Sequence, residues 1–119
     1  MNPSKPHPPS SLRAQELQAR LARGEALQLV DVREDAELVQ ANLGEGVIHL
    51  PLSRSQEWMS QIGLLLDRDR EVVVFCHAGI RSWQFGCWLI ETQGFDQVWN
   101  LQGGIDAWSV EVDRSVARY

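Results

Sequence analysis

Four consecutive apolar residues, Val72-Val73-Val74-Phe75, run without interruption into Cys76. Three β-branched side chains and a phenylalanine in a row describe a buried strand. Beyond the short stretch His77–Arg81, the segment Ser82-Trp83-Gln84-Phe85-Gly86-Cys87-Trp88-Leu89-Ile90 carries apolar side chains at 85, 88 and 89, one face of a helix. Strand, tight loop and helix in this order put the Cys76 thiol opposite the unpaired backbone N–H groups of a helix start. Those groups and the positive end of the helix dipole favour a thiolate, the nucleophilic form of cysteine.

The rest of the chain supplies further strands and helices in alternation. Ser11–Arg23 has leucines at 12, 17 and 21, a serine at 10 or 11 as a cap and Gly24 beyond its end, predicting a helix. Leu27–Val32 predicts a strand, Glu34–Gln40 a short helix opened by acidic residues, and Val47–Leu50 the next strand. Trp58, Ile62 and Leu65 recur at helical spacing within Ser55–Leu65, and Gly94 stops the helix 82–93. Gln97–Asn100 reads as a last strand and Ile105–Val110 as a last helix. The expectation is an α/β domain: a mostly parallel sheet of four to five strands with helices on both faces. Ligands in such sheets bind beyond the carboxyl ends of the strands, which is where Cys76 falls.

Most unpaired cysteines are simply small buried apolar residues. At Cys76 two neighbours argue otherwise. Gly79 permits tight curvature of the loop, and Arg81 places a cation at a helix start, against the dipole. A local rule broken beside a candidate nucleophile is a mark of a functional site. Cys87 reads as structural, packed among Phe85, Trp88 and Leu89. A disulfide between the two would remove the nucleophile from its loop, so both are expected reduced, in the cytoplasm.

The heptapeptide Cys76-His77-Ala78-Gly79-Ile80-Arg81-Ser82 resembles the active-site loop of the rhodanese-like sulfurtransferases. Three more segments are similar in order and spacing. Leu29-Val30-Asp31-Val32-Arg33-Glu34 resembles the family's first strand and acidic turn. Val47-Ile48-His49-Leu50-Pro51-Leu52 resembles its second strand and Pro-containing exit, and Trp99–Trp108, with Gly103-Gly104, its closing strand, glycine turn and last helix. The stretch Ala41-Asn42-Leu43-Gly44-Glu45-Gly46 departs from the family by lacking a histidine before the second strand.

The resemblance implies a sulfurtransferase with Cys76 as nucleophile and a persulfide as covalent intermediate. It implies a substrate-binding loop of His77, Ala78, Gly79, Ile80, Arg81 and Ser82, whose N–H groups hold anionic sulfur. The donor is expected to be a small sulfur anion such as thiosulfate, or a persulfide-carrying protein, and the acceptor cyanide in an assay or a thiol in the cell. No cofactor is expected. Asp31 and Arg33 are expected to support the site by ion pairing. Arg81 has two expectations, attraction of the donor or a salt bridge inward to Asp31 or Glu34. His77, directly after the nucleophile, either tunes its charge or contacts substrate, or points out of the loop into water.

Two other functions use the same fold. Cysteine phosphatases and arsenate reductases hold an oxyanion with a Cys-x5-Arg loop, whereas four residues separate Cys76 from Arg81, which suits sulfur better. A non-catalytic binding module is the second alternative, and retention of Cys76, Gly79, Arg81 and Ser82 speaks against it.

A length of 119 residues accommodates one domain, here 11–119, after a flexible Pro- and Ser-containing leader at 1–10. A net charge of −5 argues against nucleic acid or an anionic membrane as partner, and no apolar run reaches the length of a membrane span. The tryptophans at 58, 83, 88, 99 and 108 read as core and rim packing rather than a base-stacking platform. His7 and His49 have no ligand partners at metal-binding spacing, so no metal site is expected. The tail Val112–Tyr119 is expected to pack back through Val116 and Tyr119 or to serve a neighbour.

Overall fold

A computed structural model describes residues 7–119. Five strands form one all-parallel sheet: β1 (Ser10–Leu12), β2 (Gln28–Asp31), β3 (Val47–His49), β4 (Val72–Phe75) and β5 (Val98–Leu101), in the order β1-β5-β4-β2-β3. The helices are α1 (Ala14–Ala22), α2 (Asp35–Gln40), α3 (Ser55–Trp58), α4 (Ile62–Leu65), α5 (Ile80–Thr92) and α6 (Gly104–Glu111).

The uninterrupted apolar run of β4 has its reason in this order. As the central strand it is covered on both sides, and the two-residue alternation of side chains divides it between two cores. Val72, Val74 and Cys76 join Val30, Trp58, Ile62, Phe85 and Leu89 in one core. Val73 and Phe75 join Leu12, Leu17, Leu101 and Ile105 in the other. Cys76 therefore leaves the strand on the face that α5 covers.

Four sequence expectations change. Ser10 and Ser11 do not cap a helix: with Leu12 they form β1, which pairs with β5 in the register Ser10–Trp99 and Leu12–Leu101. Burial of Leu12 and satisfaction of the β5 edge outweigh the capping preference; α1 starts at Ala14, where Glu16 accepts a hydrogen bond from the Arg13 N–H at 3.1 Å. Of the expected leader, residues 1–6 lie outside the described residues, whereas Pro9 is buried and Ser10 belongs to the sheet. Pro9 packs so closely on α5 that a Cβ at Gly86 would lie 2.7 Å from its Cγ.

The helix expected over 55–65 is broken into α3 and α4 by a 3₁₀ turn at Met59–Gln61. Gly63 weakens a continuous helix, and the break lets Trp58, Ile62 and Leu66 all reach one core. Cys87 is half-buried and belongs to neither core. At 100° per residue, position 87 is turned away from the buried face set by Ser82, Phe85, Gly86 and Leu89.

Candidate active site

The β4 strand ends at Phe75, and the chain turns through Cys76–Gly79 into α5. Gly79 occupies φ 105°, ψ 0°, a backbone conformation that a Cβ would strain. This turn folds the helix start over the sulfur. The Gly79 N–H lies 3.1 Å from Cys76 Sγ, the Ser82 N–H 3.4 Å, and the Ser82 hydroxyl 3.3 Å. Cys76 is 1% exposed. Burial alone pushes its thiol pKa up, but the donors from Ser82, Gly79 and Ala78 outweigh it and hold the value below that of an ordinary thiol.

The Ser82 hydroxyl has one proton and two acceptors. Asn100 Oδ1 lies 2.6 Å away, while the Asn100 amide donates to the Gly79 carbonyl at 2.9 Å and so fixes which way its oxygen faces. With Cys76 protonated, the S–H can bond Ser82 Oγ while the hydroxyl serves Asn100. With Cys76 ionised, the hydroxyl can turn to sulfur. Ser82 is thus beneath the thiol rather than on its open side.

A second helix end holds the loop from the other side. The Ile105 N–H donates to the Cys76 carbonyl at 2.9 Å and the Asp106 N–H to the His77 carbonyl at 3.1 Å. Two carbonyls that the turn would otherwise strand are satisfied by the free N–H groups of α6. This contact requires Gly104, at φ +62°, where a Cβ would stand 2.4 Å from the His77 oxygen.

Arg81 makes a forked pair with Glu37 of α2, at 2.7 and 2.8 Å, and not with Asp31 or Glu34. The α2 helix is one strand removed from the loop, and its first turn presents Glu37 beside β2 and the loop. Arg81 holds the Glu37 carboxyl far below the usual carboxylate range, at about 2, against the opposing effect of burial. The Asp31–Arg33 pair forms as expected: Arg33 is fully buried, bonds both Asp31 oxygens through Nε at 3.0 and 3.2 Å, and reaches the carbonyls of Glu37 and Ala41. Burial opposes its charge, and Asp31 and Tyr119 more than compensate, raising its pKa.

Tyr119 completes the rim. Its hydroxyl donates to Glu37 Oε1 at 2.9 Å and accepts from Arg33 Nη1 at 2.9 Å, and its ring lies tilted against that of His77, with centroids 4.4 Å apart. His77 Nδ1 is buried there without a hydrogen-bond partner. Ala78 and Ile80 are exposed at the outer edge of the loop. Of the loop residues named from the sequence, Gly79 and Ser82 meet the sulfur, His77 lies against Tyr119, and Arg81 is turned toward Glu37.

Sequence reasoning did not single out Glu37 or Asn100, and it named Tyr119 only as a packing residue of the tail, not as part of the site. Asn100 had a signal, a lone amide in the apolar strand Val98-Trp99-Asn100-Leu101. Glu37 and Tyr119 meet the loop only through the tertiary fold. Among the described residues no cluster of three His, Cys, Asp or Glu side chains could hold a metal ion, and no helix is long and apolar enough to cross a membrane.

A family model described as the rhodanese-like domain matches residues 13–111. The chain is 40% identical over 92 residues to "Rhodanese-like/PpiC domain-containing protein 12, chloroplastic" of Arabidopsis thaliana, covering 77% of this chain but only 30% of that protein. It is 38% identical over 96 residues to a protein of Allochromatium vinosum named "Sulfurtransferase", covering 81% of this chain and 84% of that one. Among solved structures, a rhodanese-like domain protein from Staphylococcus aureus superposes with a TM-score of 0.73 at 24% identity, over 92% of this chain and 98% of the other, a likeness of fold.

Proposed function

The chain belongs to the rhodanese-like domain family, and from that premise we propose that it transfers sulfane sulfur through a Cys76 persulfide. The observation that carries this reading is the sulfur of a 1% exposed Cys76 receiving donors from Gly79 and Ser82, with its pKa lowered despite burial. A buried structural thiol has no use for such a cradle; a thiolate nucleophile does.

In the first half-reaction the Cys76 thiolate attacks the outer sulfur of the donor. A new S–S bond forms at Sγ, and the donor's own bond to that sulfur breaks. The electron pair leaves with sulfite when thiosulfate is the donor, or with a thiolate when the donor is a persulfide, carried by a protein or a small thiol. The terminal persulfide sulfur bears the negative charge, and the N–H groups of the 77–82 loop are the donors closest to it. In the second half-reaction a nucleophile takes that sulfur and Cys76 recovers its electron pair as thiolate. Cyanide gives thiocyanate; a thiol gives a persulfide.

Arg81 bears on the phosphatase alternative. Its guanidinium already holds Glu37 with two nitrogens, and the loop has one residue fewer than the phosphate-wrapping Cys-x5-Arg arrangement. Both features favour sulfur transfer.

Steady-state transfer to cyanide from thiosulfate or from a persulfide donor, measured in single-cysteine variants, tests the assignment. Cys76→Ser is expected to lose transfer entirely, whereas Cys87→Ser, away from the loop, keeps wild-type activity. Transfer that survives Cys76→Ser contradicts the proposal.

A further inference from the structure

Four donors converge on the Glu37 carboxylate. Arg81 supplies Nη1 to Oε2 and Nη2 to Oε1, Tyr119 supplies its hydroxyl to Oε1, and the Glu34 N–H reaches Oε2 at 2.9 Å. Tyr119 in turn is held by Arg33, which is fully buried and anchored on Asp31. A surface ion pair exchanges partners freely, because holding two long side chains in one geometry costs entropy. Here the carboxylate is pinned from the protein interior, so Arg81 meets a preorganised partner.

The geometry points to Glu37, positioned by Tyr119, as a specificity-determining residue that withholds the Arg81 charge from the mouth of the Cys76 loop and so disfavours doubly charged sulfur donors. The inference rests on the sulfurtransferase reading and names its donor class. Arg81 lies in the first turn of α5, directly after the Cys76 loop, with its guanidinium partly exposed beside Glu37. A free guanidinium there would draw a dianion such as thiosulfate. Paired with Glu37 it presents little net charge, and a dianion must approach a carboxylate or displace it. A donor with a single charge at sulfur, such as the persulfide of a thiol, loses less.

Two probes separate charge from chemistry. The first is the rate of Cys76 alkylation by iodoacetate relative to iodoacetamide, followed on the Cys76 peptide by mass. Both reagents respond equally to the thiolate fraction, so their ratio reports the potential at the loop mouth. The second is the KM for thiosulfate relative to methanethiosulfonate, which carries the same outer sulfur and one charge fewer. In Glu37→Gln the iodoacetate preference is expected to rise about three- to tenfold, and the thiosulfate KM to fall by a similar factor relative to methanethiosulfonate. Tyr119→Phe keeps the ring on His77 and removes the hydroxyl; it is expected to shift both ratios in the same direction, by about twofold.

Ratios unchanged in Glu37→Gln overturn the inference, even in a fully active enzyme. If that variant does not fold, Tyr119→Phe decides, and unchanged ratios there overturn it. A shift in Glu37→Gln with none in Tyr119→Phe overturns the positioning role of Tyr119. Failure of the wild type to take sulfur from thiosulfate, methanethiosulfonate and a small-thiol persulfide alike, with the alkylation ratio responding as stated, overturns the sulfurtransferase reading and the donor preference with it.

Discussion

At Cys76 burial and hydrogen bonding pull the thiol in opposite directions, and the hydrogen bonds win. The Ser82 hydroxyl, 3.3 Å from the sulfur, is one of those donors, so its removal has a fixed sign. Burial stays, a donor to the anion goes, and the Cys76 pKa must rise. Ser82→Ala is expected to move the midpoint of the pH–alkylation profile up. A midpoint that stays or falls shows that Ser82 does not stabilise the thiolate. The Cys76 loop was readable from the sequence because its residues are contiguous, with a turn-forming Gly79 and an Arg81 set against the helix dipole. Glu37 was not, since forty-three residues of chain separate it from Arg81 and only the tertiary fold joins them.

The elements α5 and α6 grip one loop from opposite sides, one by its N–H groups on sulfur and the other by its N–H groups on carbonyls. Gly104 makes the second grip possible. In Gly104→Ala the new Cβ meets the Cys76 and His77 oxygens at 2.5 and 2.4 Å, backbone atoms that cannot swing aside. The φ of +62° adds strain. A loss of about 2–4 kcal/mol in urea unfolding is expected, together with slower sulfur uptake. Unchanged stability contradicts the close contact. The Gly103-Gly104 pair was visible in the sequence as a turn; that it touches the Cys76 loop was not, because the contact spans two strands. The β1 edge strand escaped the sequence reading for a similar reason. Three residues carry too little periodicity, and pairing with β5 decides their state.

Across the whole molecule, the tail returns to the site rather than trailing from the last helix. The Ser109 hydroxyl donates to the Val116 carbonyl at 2.5 Å, Arg118 pairs with Asp106 at 2.8 Å, and Val116 and Tyr119 pack on the core that holds Phe75 and Leu101. The packing expected through Val116 and Tyr119 occurs, and it reaches the active-site rim, which composition could not reveal. Arg33 is the hub that ties β2, the end of α2 and the tail together. Arg33→Met fills much of the same volume but leaves the buried Asp31 charge without its cation. The expected cost is about 3–5 kcal/mol, read from the urea midpoint at constant m-value. A loss below about 1 kcal/mol contradicts the view that this pair carries the connection. The alternation of strands and helices after β1, by contrast, was legible, since those segments carry a period or an apolar run of their own.

The most direct test of sulfur carriage on Cys76 is the intact mass of the protein after incubation with thiosulfate or a small-thiol persulfide, before and after cyanide. The account predicts a gain of one sulfur atom, located on the Cys76 peptide and lost to cyanide as thiocyanate appears. No gain from either donor, or a sulfur carried on Cys87 instead, contradicts it.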